Sequence, residues 1–313
     1  MRWIFCVLLA LATPAQAFPD RPVTIVVGFA PGGATDTVAR VLAERLAPRL
    51  GQPVVVQNVP GAGGTLGADR VAKAPPDGHM LAFVPSAHSV VPGLFARLPF
   101  DSVQDFAPVA FVGDSANILV VTPTLAVTDL PGLLTLSRAG GPPLLLGSAG
   151  LGGFQAATEM LRIETGMVFE RVPYRSGAQA ALDVMAGRTQ MMFANVVEVS
   201  EQVRDGRLRA LGATSATRAP LLPQVPSFVE LGFRDFQADS WFGLLATRGT
   251  PEASLDILHR AVNAVLAEPG AIEAMRRVGV EARAMSRADW AAFLTDQTTR
   301  WTAIARASGA RAE

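Results

Sequence analysis

Phe29-Ala30-Pro31-Gly32-Gly33-Ala34-Thr35-Asp36 is the stretch on which the reading of this 313-residue chain turns. Before it runs Val23-Thr24-Ile25-Val26-Val27, short, β-branched and bounded by Pro22 and Gly28, which predicts a buried strand. After it, Val38, Val41, Leu42 and Leu46 recur at the spacing of one helix face, with Thr35 or Asp36 as the natural N-cap. Strand, glycine turn and helix follow in order. Gly32 and Gly33 let the backbone come close to a guest, and the free N–H groups of a helix start favour an anion there. A tight strand-to-helix turn with no ligand carries the same pattern.

Upstream, Arg2 supplies a positive n-region, Ile4 to Ala12 an apolar run, and Ala15-Gln16-Ala17 a small-residue cleavage site. Residues 1–17 are therefore expected to be a signal peptide, cleaved near Ala17, that sends the chain to the periplasm. The run is shorter than the roughly 18 apolar residues of a membrane span. The single cysteine, Cys6, lies inside that run, so the exported chain is expected to hold no disulfide and to rely on its own core. Lys+Arg 27 against Asp+Glu 27 gives no basic surplus for nucleic acid and no acidic tract for disorder.

Strands and helices alternate through the rest. Val54–Val56 reads as a second strand, followed by a second glycine loop, Asn58 to Gly67, that opens a helix. Met80–Val84 is a third strand, ending in Pro85-Ser86-Ala87-His88. Further strands fall at 109–112 and 118–121, and Pro123 marks a change of direction. A new block then begins with Leu144-Leu145-Leu146, a loop from Gly147 to Gly153, and a helix to about Thr165. Strands at 169–172, 191–193, 208–214 and 241–246, a helix over 178–186 and a helical tail from Pro251 complete the pattern. This is an α/β chain with glycine loops at the carboxyl ends of strands in two blocks. Ligands bind outside such strand ends, so two blocks imply a cleft between two lobes. The expected division is 18–122 with 236–313 as one discontinuous lobe and 123–235 as the other.

Catalytic patterns are weak. Gly61-Ala62-Gly63-Gly64 lacks the last glycine of a dinucleotide fingerprint, and neither glycine loop carries the Lys-Ser/Thr of a phosphate loop. Ser148 stands in Gly-Ser-Ala-Gly, not in a hydrolase elbow, and His79, His88 and His259 have no context that would activate it. Three histidines and no mature cysteine leave no zinc pattern, and no cofactor is expected. Positively, the chain offers backbone-rich anion sites with few charged side chains, suited to holding a carboxylate reversibly.

Many segments in fixed order support a resemblance. They include Pro31-Gly32-Gly33-Ala34-Thr35-Asp36, Asn58-Val59-Pro60-Gly61-Ala62-Gly63-Gly64, Pro76-Asp77-Gly78, Gly147-Ser148-Ala149-Gly150, Val172-Pro173-Tyr174-Arg175 and Trp241-Phe242-Gly243-Leu244. From about Phe18 onward the chain resembles the periplasmic solute receptors of tripartite tricarboxylate transporters, the Bug receptors. The resemblance implies a two-lobed, Venus-flytrap binding protein without catalysis. It would act as a monomer, capturing a small organic acid and passing it to membrane permease subunits. It also implies a ligand site: Phe29, Ala30, Gly32, Gly33, Thr35 and Asp36 from one lobe, and Ser148, Gly150, Gly152 and Gly153 from the other. Ser86, His88 and Asn195 join these by analogy. An exported hydrolase-like enzyme using Ser148 or Asp36, and a receptor presenting its ligand to a sensor kinase, remain alternatives at this point.

The chain also departs from the family pattern. A serine and a histidine usual after Gly152 are replaced by Gly153 and Ala156, followed by Ala157. Losing those polar groups leads us to expect a ligand with a short or apolar distal end, such as a small or aromatic mono-acid. Trp241 is assigned to core packing. Asp36→Ala is expected to weaken binding with little loss of fold.

Overall fold

The computed structural model describes residues 18–149, 153–174, 176–236 and 238–307. Its elements, in chain order, are β1 (Val23–Val27), α1 (Ala34–Leu50), β2 (Val54–Asn58), α2 (Thr65–Ala72), β3 (Met80–Pro85), α3 (Ala87–Leu94), β4 (Phe106–Ser115) and β5 (Asn117–Val121). They continue with α4 (Leu130–Arg138), β6 (Leu144–Ala149), α5 (Gly153–Thr165), β7 (Phe169–Tyr174), α6 (Gly177–Met185), β8 (Met191–Asn195), α7 (Val196–Arg204) and β9 (Arg209–Ala213). The last are β10 (Ser240–Thr247), α8 (Glu252–Leu266), α9 (Pro269–Arg277), β11 (Glu281–Ala282) and α10 (Arg287–Ala307).

Two sheets result. The first runs β11-β4-β10-β3-β1-β2, and the second runs β7-β6-β8-β5-β9. β1 pairs in parallel with β2 and β3, and β6 with β7 and β8; β10 and β5 are antiparallel to their neighbours. Both sheets are covered on two faces, which explains the near-continuous apolar strands. Val23, Ile25 and Val27 pack with Val38, Leu42 and Leu46 of α1 and Leu258 and Val262 of α8. Val26, between them, points to the opposite core with Val71, Phe111, Trp241 and Trp290. In the second sheet, Leu119 and Phe193 meet Ala157 and Met160 of α5, while Ile118 and Met192 meet Ala180 and Val184 of α6. Residues one apart on a strand go to opposite cores, as the two-residue period requires.

The chain passes from the first sheet to the second at Ala116, between β4 and β5, and returns through 214–239. The division expected after residue 122 therefore gives way to one at 116. The apolar run 118–121 reads identically in either sheet; only its pairing with β8 and β9 assigns it to the second lobe. The return segment also belongs there, because Phe236 and Ala238 pack in that lobe's core.

Side-chain hydrogen bonds tie the crossing. Thr214 Oγ1 accepts the Asn117 N–H at 3.0 Å and donates to Asp239 Oδ1 at 2.5 Å. Asn117 Nδ2 donates to the Ala238 carbonyl at 2.8 Å, and Asn195 Nδ2 to Ser115 Oγ at 2.7 Å. α10 spans the same junction from behind. Trp290 lies in the first lobe's core, its ring over Gly243, while Trp301 lies in a cluster where Val90 and Leu94 of α3 meet residues of the second sheet.

Candidate ligand cleft

The β1–α1 turn leaves the carboxyl end of a parallel strand and is held from below. A Cβ on Gly28 would lie 2.6 Å from the Gly64 carbonyl oxygen, and one on Gly67 would lie 2.8 Å from the Gly28 Cα. The two glycine loops of the first lobe thus pack backbone against backbone. The Phe29 ring then closes over Gly64, whose φ of +95° suits glycine. These glycines serve loop-to-loop packing. Gly32 and Gly33 differ: a Cβ on Gly32 would meet nothing within 4 Å, and one on Gly33 only the Ala30 carbonyl at 3.9 Å. Ala30 to Ala34 are exposed, Phe29 and Thr35 half-buried.

The N-cap of α1 is Gly33, not Thr35 or Asp36, and no side chain caps the helix. Its first-turn N–H groups, which no helix satisfies internally, follow directly on two exposed, open glycines. Asp36 sits in the first turn of α1 and is buried. Its Oδ2 accepts from Arg40 Nε at 2.9 Å and from the Gly32 N–H at 2.9 Å, and its Oδ1 from Asn58 Nδ2 at 2.8 Å. The Arg40 hydrogen bond, helped by Gly32 and Asn58 against the cost of burial, lowers the carboxyl to about 2. Asn58 Nδ2 also reaches the Phe29 carbonyl at 3.0 Å, so Asp36 and Asn58 together shape the loop. Asp36 is a tie within the loop, and the expectation that removing it spares the fold does not fit these contacts.

In the second lobe, Ser148 lies next to the last residue of β6, half-buried, and its Oγ accepts from Arg171 Nη2 at 3.2 Å. Arg171 stands on β7 opposite Leu146, and its Nη1 also reaches Glu159 Oε1 at 3.3 Å. Gly153 is the first residue of α5. Gly150 and Gly152 lie outside the described residues.

The remaining three residues expected at the cleft carry structural bonds. Ser86 is buried; its N–H donates to the Trp241 carbonyl at 2.9 Å, linking β3 to β10. His88 is buried between Phe100 and Phe106, with ring centroids 6.0 and 5.3 Å away, and its Nε2 donates to the Ser102 carbonyl at 2.9 Å. Burial pushes this imidazole down to about 4, so it is neutral at ordinary pH. The ring works in packing instead of on an open surface. Asn195 caps α7, accepting from the Val197 N–H at 3.2 Å, and holds Ser115 across the lobe crossing. Trp241 packs against Trp290 and Phe293 in the core, as assigned.

Sequence reading passed over Arg171, Asn58 and Asp239. Arg40 was legible, four residues after Asp36 on one helix face. The other three meet their partners through strand pairing or across the lobe junction, where sequence spacing carries no signal. No group of three or more His, Cys, Asp or Glu among the described residues forms a metal site.

Two α/β lobes, joined by crossing strands, with the uncapped start of α1 beside open glycines, define a solute-binding receptor. Comparison with known proteins agrees. Residues 38–310 match the model of the tripartite tricarboxylate transporter family receptor, and the chain belongs to that family. It is 34% identical over 313 residues to the protein BugT of Bordetella pertussis, covering 98% of this chain and 96% of that one. An R. palustris structure with adipate superposes with a TM-score of 0.79 at 31% identity, covering 93% of this chain and 98% of its own. MatC from Rhodopseudomonas palustris, with bound malate, gives 0.76 at 31%, covering 92% and 100%. These are binding proteins, so the protein is a periplasmic solute receptor. The hydrolase and sensor-kinase alternatives are set aside.

Proposed function

We propose that the two lobes close on a small carboxylate, held between the 29–36 loop and the 148–153 loop, and that the receptor hands it to a membrane permease. The observation that carries this reading is the start of α1. It combines an uncapped first turn, two open glycines and an acid already paired with Arg40 and hydrogen-bonded by Asn58. Backbone N–H groups and the helix dipole bind an anion there without a buried counter-charge, which favours release as well as capture. The adipate and malate found in the relatives' structures support the ligand class. Residues 18–115 with β10 to α10 would act as one lobe and 117–238 as the other, in a monomeric protein freed of residues 1–17. No helix of the described residues is long and apolar enough to cross a membrane, so the permease is a separate chain in this reading.

The test is a thermal-shift screen of the chain from Phe18 onward, unfolded and dialysed first to strip retained ligand. Mono-, di- and tricarboxylates, aromatic acids and acidic amino acids form the panel. The cognate acid should stabilise the protein by about 2.7 kcal/mol at a hundredfold excess over its dissociation constant. A flat response to every acid would overturn the proposal.

A further inference from the structure

α3 and α10 touch closely. A Cβ on Gly93 would lie 2.6 Å from the Ala305 Cβ and 2.9 Å from the Thr302 carbonyl oxygen. Beside this contact, a groove of about 820 Å³ lies between the 95–102 loop and residues 298–306 of α10. None of Phe29 to Asp36 lines it, nor does Ser148, so it is distinct from the cleft described above. Its volume suits a guest much larger than a single carboxylate.

Three hydroxyls of its walls have no partner. Ser102 Oγ, Thr298 Oγ1 and Thr302 Oγ1 are buried and make no hydrogen bond among the described residues. Their neighbours behave differently: Thr295 and Thr299 donate to the carbonyls four residues back, at 2.8 and 2.9 Å. Thr298 and Thr302, one turn apart on one helix face, leave that option unused. A buried hydroxyl without a partner is costly, so this row marks a place where a guest would supply the missing bonds.

The charged residues point the same way. Arg97 of the loop lines the groove, as does Arg306, one further turn along the row of Thr298 and Thr302. Neither makes a hydrogen bond or ion pair among the described residues, whereas Arg40, Arg49, Arg218, Arg283 and Arg287 each hold a carboxylate. The one acid of the walls, Asp101, is occupied in its own loop, its Oδ1 accepting from the N–H groups of Val103 and Gln104 at 2.8 Å. Two cations against one acid leave the groove positive. Phe95 and Leu98 add half-buried apolar surface.

We propose that this groove receives an acidic, partly apolar peptide segment of another protein. Arg97 and Arg306 meet its carboxylates, Phe95 and Leu98 its apolar side chains, and the three hydroxyls its backbone. A hydroxyl both donates and accepts, which suits a backbone that presents N–H and C=O together. A small anion presents acceptors alone and would leave most of the volume unfilled. The inference stands apart from the carboxylate reading, since the two sites share no residue.

The test titrates fluorescein-labelled peptides into the chain from Phe18 onward and reads polarisation. Each peptide carries two glutamates, at varied spacing, in a leucine and serine background, and is paired with its glutamine counterpart. At least one glutamate peptide should bind, roughly tenfold more tightly than that counterpart. Arg97→Gln combined with Arg306→Gln should erase the difference and leave the unfolding midpoint unchanged. Thr298→Val combined with Thr302→Val, which keeps the shape and drops the hydroxyls, should weaken the peptide severalfold while the free protein unfolds no earlier. Equal affinity for glutamate and glutamine peptides, or no binding by any, would sink the proposal. So would earlier unfolding of the valine variant with its peptide affinity intact. Phosphate or citrate binding through Arg97 and Arg306, with no peptide bound, would make this a small-anion site and overturn it too. Tighter peptide binding by a chain ended after Ala307 would make residues 308–313 the occupant. A dimer dissolved by Arg97→Gln would make it a second copy, and either result ends the assignment to another protein.

Discussion

Thr214 Oγ1 stands 2.5 Å from Asp239 Oδ1, and it is the one hydrogen-bond donor to this carboxylate among the described residues at the lobe crossing. Asp114, on β4, raises the proton affinity of Asp239 further, while Arg283 is held by Asp114 at 2.6 Å. Burial first, then Asp114, lifts Asp239 from 3.8 to about 7, against the opposing pull of Thr214 and Arg283.

This shift opposes that of His88. A carboxyl raised in the folded state contributes stability below its unfolded value of 3.8 and loses it as pH rises through about 7. A histidine lowered in the folded state contributes stability above 6.5 and loses it as pH falls through about 4. Each is worth roughly 3 to 4 kcal/mol over nearly the same window, with opposite sign. The parent should therefore show a shallow urea-midpoint profile between pH 4.5 and 7.5. Asp239→Asn should make stability fall steeply toward acid. His88→Gln, whose amide still reaches Ser102, should make it fall toward neutral. Parallel slopes in both variants would contradict the assignment.

Asp36 gives a different test, because its carboxylate has three partners and little water. Asp36→Ala should lower unfolding stability by about 1–3 kcal/mol, leaving the Gly32 N–H, Arg40 Nε and one Asn58 amide hydrogen without their Asp36 acceptor. Asp36→Asn should cost less and remove the stability gain seen as pH rises from about 2 to 4. Chemical denaturation at pH 3 and pH 6 reads both effects.

Gly33 separates binding from folding. Its φ of −77° suits any residue, and the space beside it is open. Gly33→Phe should change stability by no more than about 1 kcal/mol, in line with ordinary surface substitutions. It should abolish carboxylate binding by covering the first turn of α1. Normal affinity in that variant would move the site elsewhere.

Gly243 has no such space. A Cβ there would lie 2.3 Å from the Trp290 indole, which also donates from Nε1 to the Leu244 carbonyl at 3.2 Å. Gly243→Ala should cost about 3 kcal/mol, the upper range for overpacking a core. Differential scanning calorimetry would show it.

Much of the fold was legible because its signals are local. The five apolar residues of β1, the period of α1 and the glycines between them depend only on neighbours in sequence. Residues Ala87–Leu94 and Val196–Arg204 were not read as helices. In α3, Pro92 and an almost wholly apolar surface hide the helical period, since the helix is buried between α10 and the sheets. The lobe boundary was misplaced because 118–121 is equally apolar in either sheet. At the site, the loop Phe29 to Asp36 was found from its glycines and from the resemblance. Arg171 was not, because its meaning lies in the register between β6 and β7. The role of Asp36 was half read: its place beside the loop was evident, its bond to Asn58 twenty-two residues away was not.

α10 carries two tryptophans into two cores, Trp290 into one inside the first lobe and Trp301 into one where α3 meets the second sheet's residues, eleven residues apart on one unbroken helix. At 1.5 Å per residue they are fixed about 16 Å from each other along the axis. The helix thus behaves as a strut of constant length between the two cores: neither ring can slide along the axis without carrying the other.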